Sequence, residues 1–296
     1  MTSKLKEGVM QVVFTLCACV SILAVALICI FLFANGVPTL FKIGPLKFLL
    51  GTTWKPGNDI FGILPMILGS IYVTAGAIIV GVPIGVLTAV YMSKFASPRI
   101  NRIMLPAVQL LAGIPSVVYG FFGMIVLVPA VQAMVRTPFF KDVLGVKSGK
   151  GMSLFTAAVL LGIMILPTII TVSKTSLDAV PDSYYEGSLA LGATHERSVF
   201  FAVLPAAKSG VTAGVILGVG RAIGETMAVI MVAGNQPRIP DSILKGVRTL
   251  TTNIVMDMGY ASGLHREALI ATGAVLFVFI LIINLLFSLV RRRMAG

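Results

Sequence analysis

Charge is what this chain has least of. Only 11 of its 296 residues are acidic, and 11% are charged with either sign, against 57% hydrophobic. An ordinary soluble domain carries about a quarter charged residues, so a water-soluble enzyme or binding domain is excluded. Cysteine is scarce too. Cys17, Cys19 and Cys29 all fall in the first apolar stretch. Cys17 and Cys19, two apart on a helix, point to different faces, so neither a disulfide nor a metal site is implied. The two histidines, His195 and His265, stand in different loops with no cysteine or carboxylate at ligand spacing. They read as solvated loop residues, and no metal site or nucleophile–histidine catalytic set can be assembled from them. No glycine-rich phosphate loop followed by Lys-Ser/Thr occurs, so no ATP site is expected in this chain. No basic patch occurs outside the loops flanking apolar stretches, which argues against nucleic-acid binding.

What is abundant is apolar length. The mean hydropathy is +1.00, and six stretches approach or exceed the roughly 20 residues that cross a bilayer. They cover residues 10–34, 63–92, 103–134, 154–173, 209–234 and 268–290. The first has an apolar run too long for a signal peptide and no cleavage site after it, so it is read as a retained helix. The second and third are long and contain Pro and Gly, and must tilt, kink or re-enter. The expectation is an all-α membrane protein forming one transmembrane domain over residues 1–296, in contact with membrane lipids.

The net charge of +12 sits in the loops. With six spans both termini share a side. Eleven basic residues fall on that side and eleven on the other, so the count alone does not orient the chain. Arg291, Arg292 and Arg293 abutting the last span, and Lys94, Arg99 and Arg102 in one short loop, favour cytoplasmic termini. The outer loops are then unusually basic, with Lys141, Lys147 and Lys150 among their cations. They would either draw anions or face anionic headgroups.

Two features carry chemistry. Arg221 and Glu225 are the only charges inside any of the long stretches, and one such charge at mid-bilayer costs roughly 2.5–3.5 kcal/mol. At about 100° per residue, Gly210, Gly214, Gly218, Arg221 and Glu225 share one helical face. Small residues admit a neighbouring helix and buried charges face the protein interior or water, so that face is expected at a subunit seam. Arg221 would contact an anion there with its planar fork of donors, and Glu225 would compensate it when the anion leaves. The alternative is a structural ion pair fastening helices. In the third stretch, Pro115 is expected to break the helix, making Ser116 a pathway residue or merely part of a packing kink.

The other feature is the loop 174–208. Ser183 and Glu186 have the spacing of a capping box, and Gly192 supplies a left-handed stop. The loop reads as helix, sharp turn, helix. Glu186-Gly-Ser-Leu-Ala-Leu-Gly192, then nine residues, then Ala202-Val-Leu-Pro205, resembles the cytoplasmic loop of ABC importer permeases. Gly187, Ser188 and Ala202 depart from that pattern, which bears on the fine docking contacts. The resemblance implies that Tyr184, Tyr185, Glu186, Gly187, Ser188, Leu189, Ala190, Leu191 and Gly192 form a coupling helix docked on a cytoplasmic ATPase.

A narrower match follows. Gly220-Arg-Ala-Ile-Gly-Glu-Thr-Met-Ala-Val229, Leu111-Ala-Gly-Ile-Pro-Ser-Val-Val-Tyr-Gly120 and Gly51-Thr-Thr-Trp54 resemble the phosphate-specific (Pst) importer permeases, in their PstC-type subunit. The resemblance implies a type I importer permease of six transmembrane helices in a bacterial inner membrane, moving inorganic phosphate. It also implies a paralogous PstA-type permease, an ATPase dimer using ATP and Mg²⁺, and an extracytoplasmic phosphate-binding protein. The chain itself would not be an enzyme. The same architecture serving molybdate or sulfate is one rival. The other is an ion-gradient transporter using Arg221 and Glu225 as a proton relay, although the internal repeats expected of that class are not found.

Overall fold

A computed structural model describes residues 3–137 and 151–295, with side chains over 7–137 and 151–289. Lys141, Lys147 and Lys150 lie outside the described residues, as do the side chains of Arg291, Arg292 and Arg293. The chain opens with helix α1 (Ser3–Ile43), stopped at Gly44, and a short α2 (Pro45–Leu50). A two-stranded hairpin follows, β1 (Trp54–Lys55) paired with β2 (Ile60–Phe61). Next come α3 (Leu64–Val90), α4 (Pro98–Gly113), α5 (Ser116–Phe122), α6 (Val128–Val135) and α7 (Leu154–Asp178). The second half holds α8 (Asp182–Ala190), α9 (His195–Ser198), α10 (Leu204–Ala206), α11 (Lys208–Gly224), α12 (Met227–Val232), α13 (Leu250–Met258) and α14 (Gly263–Ala295).

Helix α7 is the hub. Of its most apolar 18-residue window 61% is buried within the chain, against none for α1, which therefore lies at the periphery. Glycines set the packing. An added Cβ at Gly76 would sit 2.6 Å from Ala158, at Gly81 2.8 Å from Ile165, and at Gly85 2.8 Å from Ile169. Both residue numbers rise together, so α3 and α7 run parallel at close range. Backbones this near one another gain dispersion contacts in a medium that offers no hydrophobic drive between helices.

Helix α11 packs on α7 in the opposite sense, with Gly210 on Ser176, Gly214 on Val172 and Gly218 on Ile169. Helices α1 and α14 are also antiparallel. Phe33 meets Phe277 edge-on at 5.7 Å, Gly36 abuts Ala274, and Lys42 pairs with Glu267. Both chain ends thus lie at one end of the bundle. Helices α3 and α7 point towards that end, so α8 belongs to it as well.

Two of the six apolar stretches are not continuous helices. The stretch 103–134 breaks between Gly113 and Ser116, where Ile114 and Pro115 are extended. The run Ser116–Val135 is itself long enough to span, whereas α4 is amphipathic. The stretch 209–234 breaks at Glu225 and Thr226. Among the described residues five helices meet the length and hydropathy of a span, and His195–Ala206 and Lys208–Gly224, bent by 71° at their junction, meet them only when taken together. Two π-helical turns, Gly123–Leu127 and Val199–Val203, each stop two residues before a proline, Pro129 and Pro205. A proline ring crowds the carbonyl four residues back and cannot donate to it, so the local turn widens.

Candidate functional site

The break in the fifth stretch is built by its own side chains. Helix α11 ends at Gly224, and Glu225 turns extended at φ −68°, ψ 131°. One carboxylate oxygen of Glu225 then accepts the backbone N–H groups of Thr226 and Ala228, both at 3.1 Å. Glu225 thus caps the start of α12, where a carboxylate also meets the favourable end of the helix dipole. Arg221 occupies the last turn of α11, where a cation is favoured. The shared-face pair expected from a continuous helix is therefore not formed. No ion pair joins Arg221 to Glu225 among the described residues, and no hydrogen bond holds the Arg221 guanidinium. Both side chains are half-buried.

A second break comes up beside the first. The Tyr119 hydroxyl donates to the Leu111 carbonyl at 2.8 Å, bridging the gap between α4 and α5. Tyr119 is buried in the same core cluster as Ala222, the residue after Arg221, which brings α5 to the end of α11. One turn of α5 onward from Ser116, Gly120 lies against Ala228 and Met231 of α12. Two interrupted spans therefore meet, bringing Arg221, Tyr119 and the capped start of α12 to one place. Ser116 is the half-buried first residue of α5. Tyr119 escaped the sequence reading although it stands within the quoted Leu111–Gly120 motif. Its signal was an aromatic hydroxyl four residues after a helix-breaking proline.

The glycine ladder needs correction. Gly210, Gly214 and Gly218 face α7 inside this chain, where a side chain at Gly210 or Gly218 would collide and one at Gly214 would be tightly crowded. They do not mark a seam between subunits. On the other side of α11, Gly220 and Gly224 have nothing within 4 Å of an added Cβ, and that is the open face.

A polar cluster at the hairpin end of the bundle holds the break from behind. The Thr251 hydroxyl, in the first turn of α13, donates to the Glu225 carbonyl at 3.1 Å. Arg248 donates to the Asn235 carbonyl at 3.1 Å and to Asn253 Oδ1 at 3.0 Å, and lies 3.5 Å from Asp257. Asp257 also accepts from Trp54 Nε1 at 3.1 Å, which ties the hairpin into the cluster. Burial pulls the Arg248 guanidinium below its usual range, and the Asp257 charge acts against that shift. His265 is not a solvated loop residue. It lies 3.5 Å from Asp257 and stacks near Phe61 and Trp54.

At the opposite end, α8 is a helix with no buried residue. Leu191 is 91% exposed, and Tyr184 and Leu189 are exposed beside it. A rigid helix presenting bare apolar side chains is a docking surface in the making. Ser183 does not cap it. The helix starts one residue earlier after Pro181, without a side-chain cap, because the fixed proline backbone already sets the entry. Its end matches the expectation. Gly192 takes φ +86°, Gly192 N donates to the Leu189 carbonyl and Ala193 N to the Ser188 carbonyl, a full left-handed stop. Tyr185 fixes α8 to α9 through a 2.7 Å hydrogen bond with His195 Nδ1. His195 also packs edge-on against Phe95 at 4.7 Å, so it too is a packing residue rather than a solvated one. Among the described residues no three His, Cys, Asp or Glu side chains gather into a metal site.

Residues 81–296 match the family described as binding-protein-dependent transport system inner membrane component. The chain belongs to that family. It is 37% identical over 288 residues to the probable ABC transporter permease protein YqgH of Bacillus subtilis, covering 94% of this chain and 90% of that one. It is 35% identical over 265 residues to the phosphate transport system permease protein PstC of Mesorhizobium japonicum, covering 86% and 81%. Among solved structures it is similar to a chain of a bacterial alginate ABC transporter in complex with an alginate-bound periplasmic protein. That likeness has a TM-score of 0.64 at 16% identity, over 98% of this chain and 96% of the other. An amino acid ABC transporter gives 0.53 at 18%, over 78% and 93%. At such identities the likeness carries the fold alone: this is the all-α, multi-pass membrane fold of ABC importer permeases.

Proposed function

We propose that this permease moves inorganic phosphate inward along a path that passes Arg221. One observation carries the reading. A guanidinium stands at the meeting of two interrupted spans with no ion pair among the described residues, and the carboxylate four residues away is engaged elsewhere. A planar fork of charged donors suits a phosphate oxygen pair. The absence of a fixed counter-charge leaves it available to a passing anion. Relatives named as phosphate transport permeases at 34–35% identity support phosphate as the substrate.

The path is completed by a paralogous permease subunit of the PstA type, which would cover the open face of α11 around Gly220 and Gly224. An ATPase dimer docks at α8 and hydrolyses ATP with Mg²⁺, so the chemistry belongs to that partner and this chain is a transport subunit. An extracytoplasmic phosphate-binding protein delivers the anion to the hairpin side. That arrangement puts α8 and both termini in the cytoplasm, with the protein in a bacterial inner membrane. The bare apolar residues of α8 support the ATPase contact, and the basic outer loops support an anionic cargo.

The test is ATP-driven uptake by the complete complex in liposomes, with phosphate, sulfate and molybdate competing. Phosphate should be preferred, and Arg221→Gln should abolish most uptake while the complex still assembles. Preferential uptake of sulfate or molybdate would assign the path to another oxyanion. Undiminished phosphate uptake by Arg221→Gln would return Arg221 to a structural role.

A further inference from the structure

The break at residues 224–227 rewires its backbone rather than leaving it bare. In a continuous helix the N–H groups of Thr226 and Ala228 would donate to the carbonyls of Ala222 and Gly224. Here both N–H groups donate instead to the Glu225 carboxylate. The released carbonyls are served as well. Ala222 receives the Glu225 N–H at 3.4 Å, and Gly224 receives the Thr226 hydroxyl at 3.2 Å. Glu225 itself, whose carbonyl would have served Val229, receives the Thr251 hydroxyl at 3.1 Å. At membrane depth an unserved backbone group costs several kcal/mol. Two side chains and one backbone N–H thus keep the carbonyls of Ala222, Gly224 and Glu225 bonded in the broken arrangement.

The broken and continuous arrangements differ in what happens to Arg221. Rejoining the helix would free the Glu225 carboxylate from its cap and place it four residues after Arg221 on the same face. The pair read from the sequence is thus the alternative state of the same segment. We propose that residues 224–227 form a two-state joint: broken, as in this structure, it leaves Arg221 open to an anion; continuous, it gives Arg221 the Glu225 carboxylate in place of the anion. Thr251 is the positioning residue that holds the joint broken. Its hydroxyl holds the Glu225 carbonyl in the direction the break gives it, and α13 carries that hydroxyl in place. That helix is fixed by its own capping box, Thr249 with Thr252, and by Leu250 N donating to Ser70 Oγ of α3 at 3.0 Å. Arg248 braces the far side of α12 through the Asn235 carbonyl.

The proposal rests on Arg221 as the anion contact, and its test separates the two. The complete complex, with paralogous permease, ATPase and binding protein, is compared as wild type, Thr251→Val, Thr251→Ser, Glu225→Gln and the Thr251→Val/Glu225→Gln double variant. Valine keeps the shape of threonine and removes its hydroxyl, which bonds the Glu225 carbonyl and the Thr249 hydroxyl; the bond to Glu225 is worth a factor of about five. Phosphate uptake at saturating binding protein should fall about fivefold in Thr251→Val and recover in Thr251→Ser. In the Glu225→Gln background, Thr251→Val should cost nothing more, because the closed joint no longer gains an ion pair. A merely structural threonine would lower uptake equally in both backgrounds, and that result overturns the proposal.

A second readout needs no phosphate. Labelling of Arg221 by phenylglyoxal, read by mass spectrometry, should be slower in Thr251→Val than in wild type. Equal labelling, or none in either protein, also overturns it. Should the wild-type complex take up no phosphate at all, the substrate reading falls, while the labelling contrast still decides the joint.

Discussion

Gly120 of α5 lies so near Ala228 of α12 that a Cβ on the glycine would sit 2.9 Å from the Ala228 Cα and 2.7 Å from the Met231 sulfur. The two interrupted spans touch there through a position with no room for a methyl group. Gly120→Ala should therefore force α5 and α12 apart at a cost of about 1–3 kcal/mol. A lower thermal midpoint of the purified complex, with reduced uptake, is the expected outcome. An unchanged midpoint would mean that the helices do not meet at this residue.

The two jobs of Glu225, capping and carrying charge, can be separated by substitution. Glutamine keeps an oxygen for the N–H groups of Thr226 and Ala228, whereas alanine removes it. Glu225→Ala should lose about 1 kcal/mol of stability relative to Glu225→Gln, the usual value of an N-cap. Thermal unfolding of the two variants side by side checks this. Equal midpoints would show that the cap carries no weight.

Gly218 and Gly220 are two residues apart and should respond in opposite ways. A Cβ at Gly218 meets Ile169 at 2.9 Å, while one at Gly220 meets nothing within 4 Å. Gly218→Val should destabilise the subunit by about 1–3 kcal/mol. Gly220→Ala should leave it as stable or raise it by up to about 1 kcal/mol, since alanine is the better helix former. If Gly220 faces the paralogous subunit, the loss appears only when co-purification of that subunit is measured.

Leu191 can be changed without touching the fold, being 91% exposed. Leu191→Glu should alter the subunit's own stability by no more than about 0.5 kcal/mol, yet abolish recovery of the ATPase in a pull-down. Gly192→Val acts differently, because φ +86° costs a side-chain residue roughly 1–2 kcal/mol. It should weaken both the stop of α8 and ATPase recovery. Full recovery with Leu191→Glu would place the ATPase elsewhere.

Much of this was legible in the sequence because lipid imposes strong rules. Apolar length located the membrane-crossing stretches, Pro115 flagged a break, and Gly192 marked the end of α8. The break at Glu225 was not legible from periodicity. Glycine, glutamate and threonine in that order are compatible with a helix, and the residue that decides against one, Thr251, lies 26 positions away in sequence. The ladder Gly210, Gly214, Gly218 was misplaced for a related reason. Spacing identifies a close approach but not the partner, and here the partner is α7 of the same chain. His195 and His265 looked solitary because their neighbours, Tyr185 and Asp257, take part through tertiary contact.

Helix α1 has 41 residues and runs almost without cover from the rest of the chain. At 1.5 Å per residue it is about 60 Å long, near twice the roughly 30 Å hydrocarbon slab. Among the described residues its one substantial neighbour beyond the adjoining α2 is α14, so tilting it disturbs neither the tight seam of α3, α7 and α11 nor the interrupted spans. A change in bilayer thickness is therefore absorbed at the rim, by the lean of one bare rod, and the packed middle of the bundle keeps its dimensions.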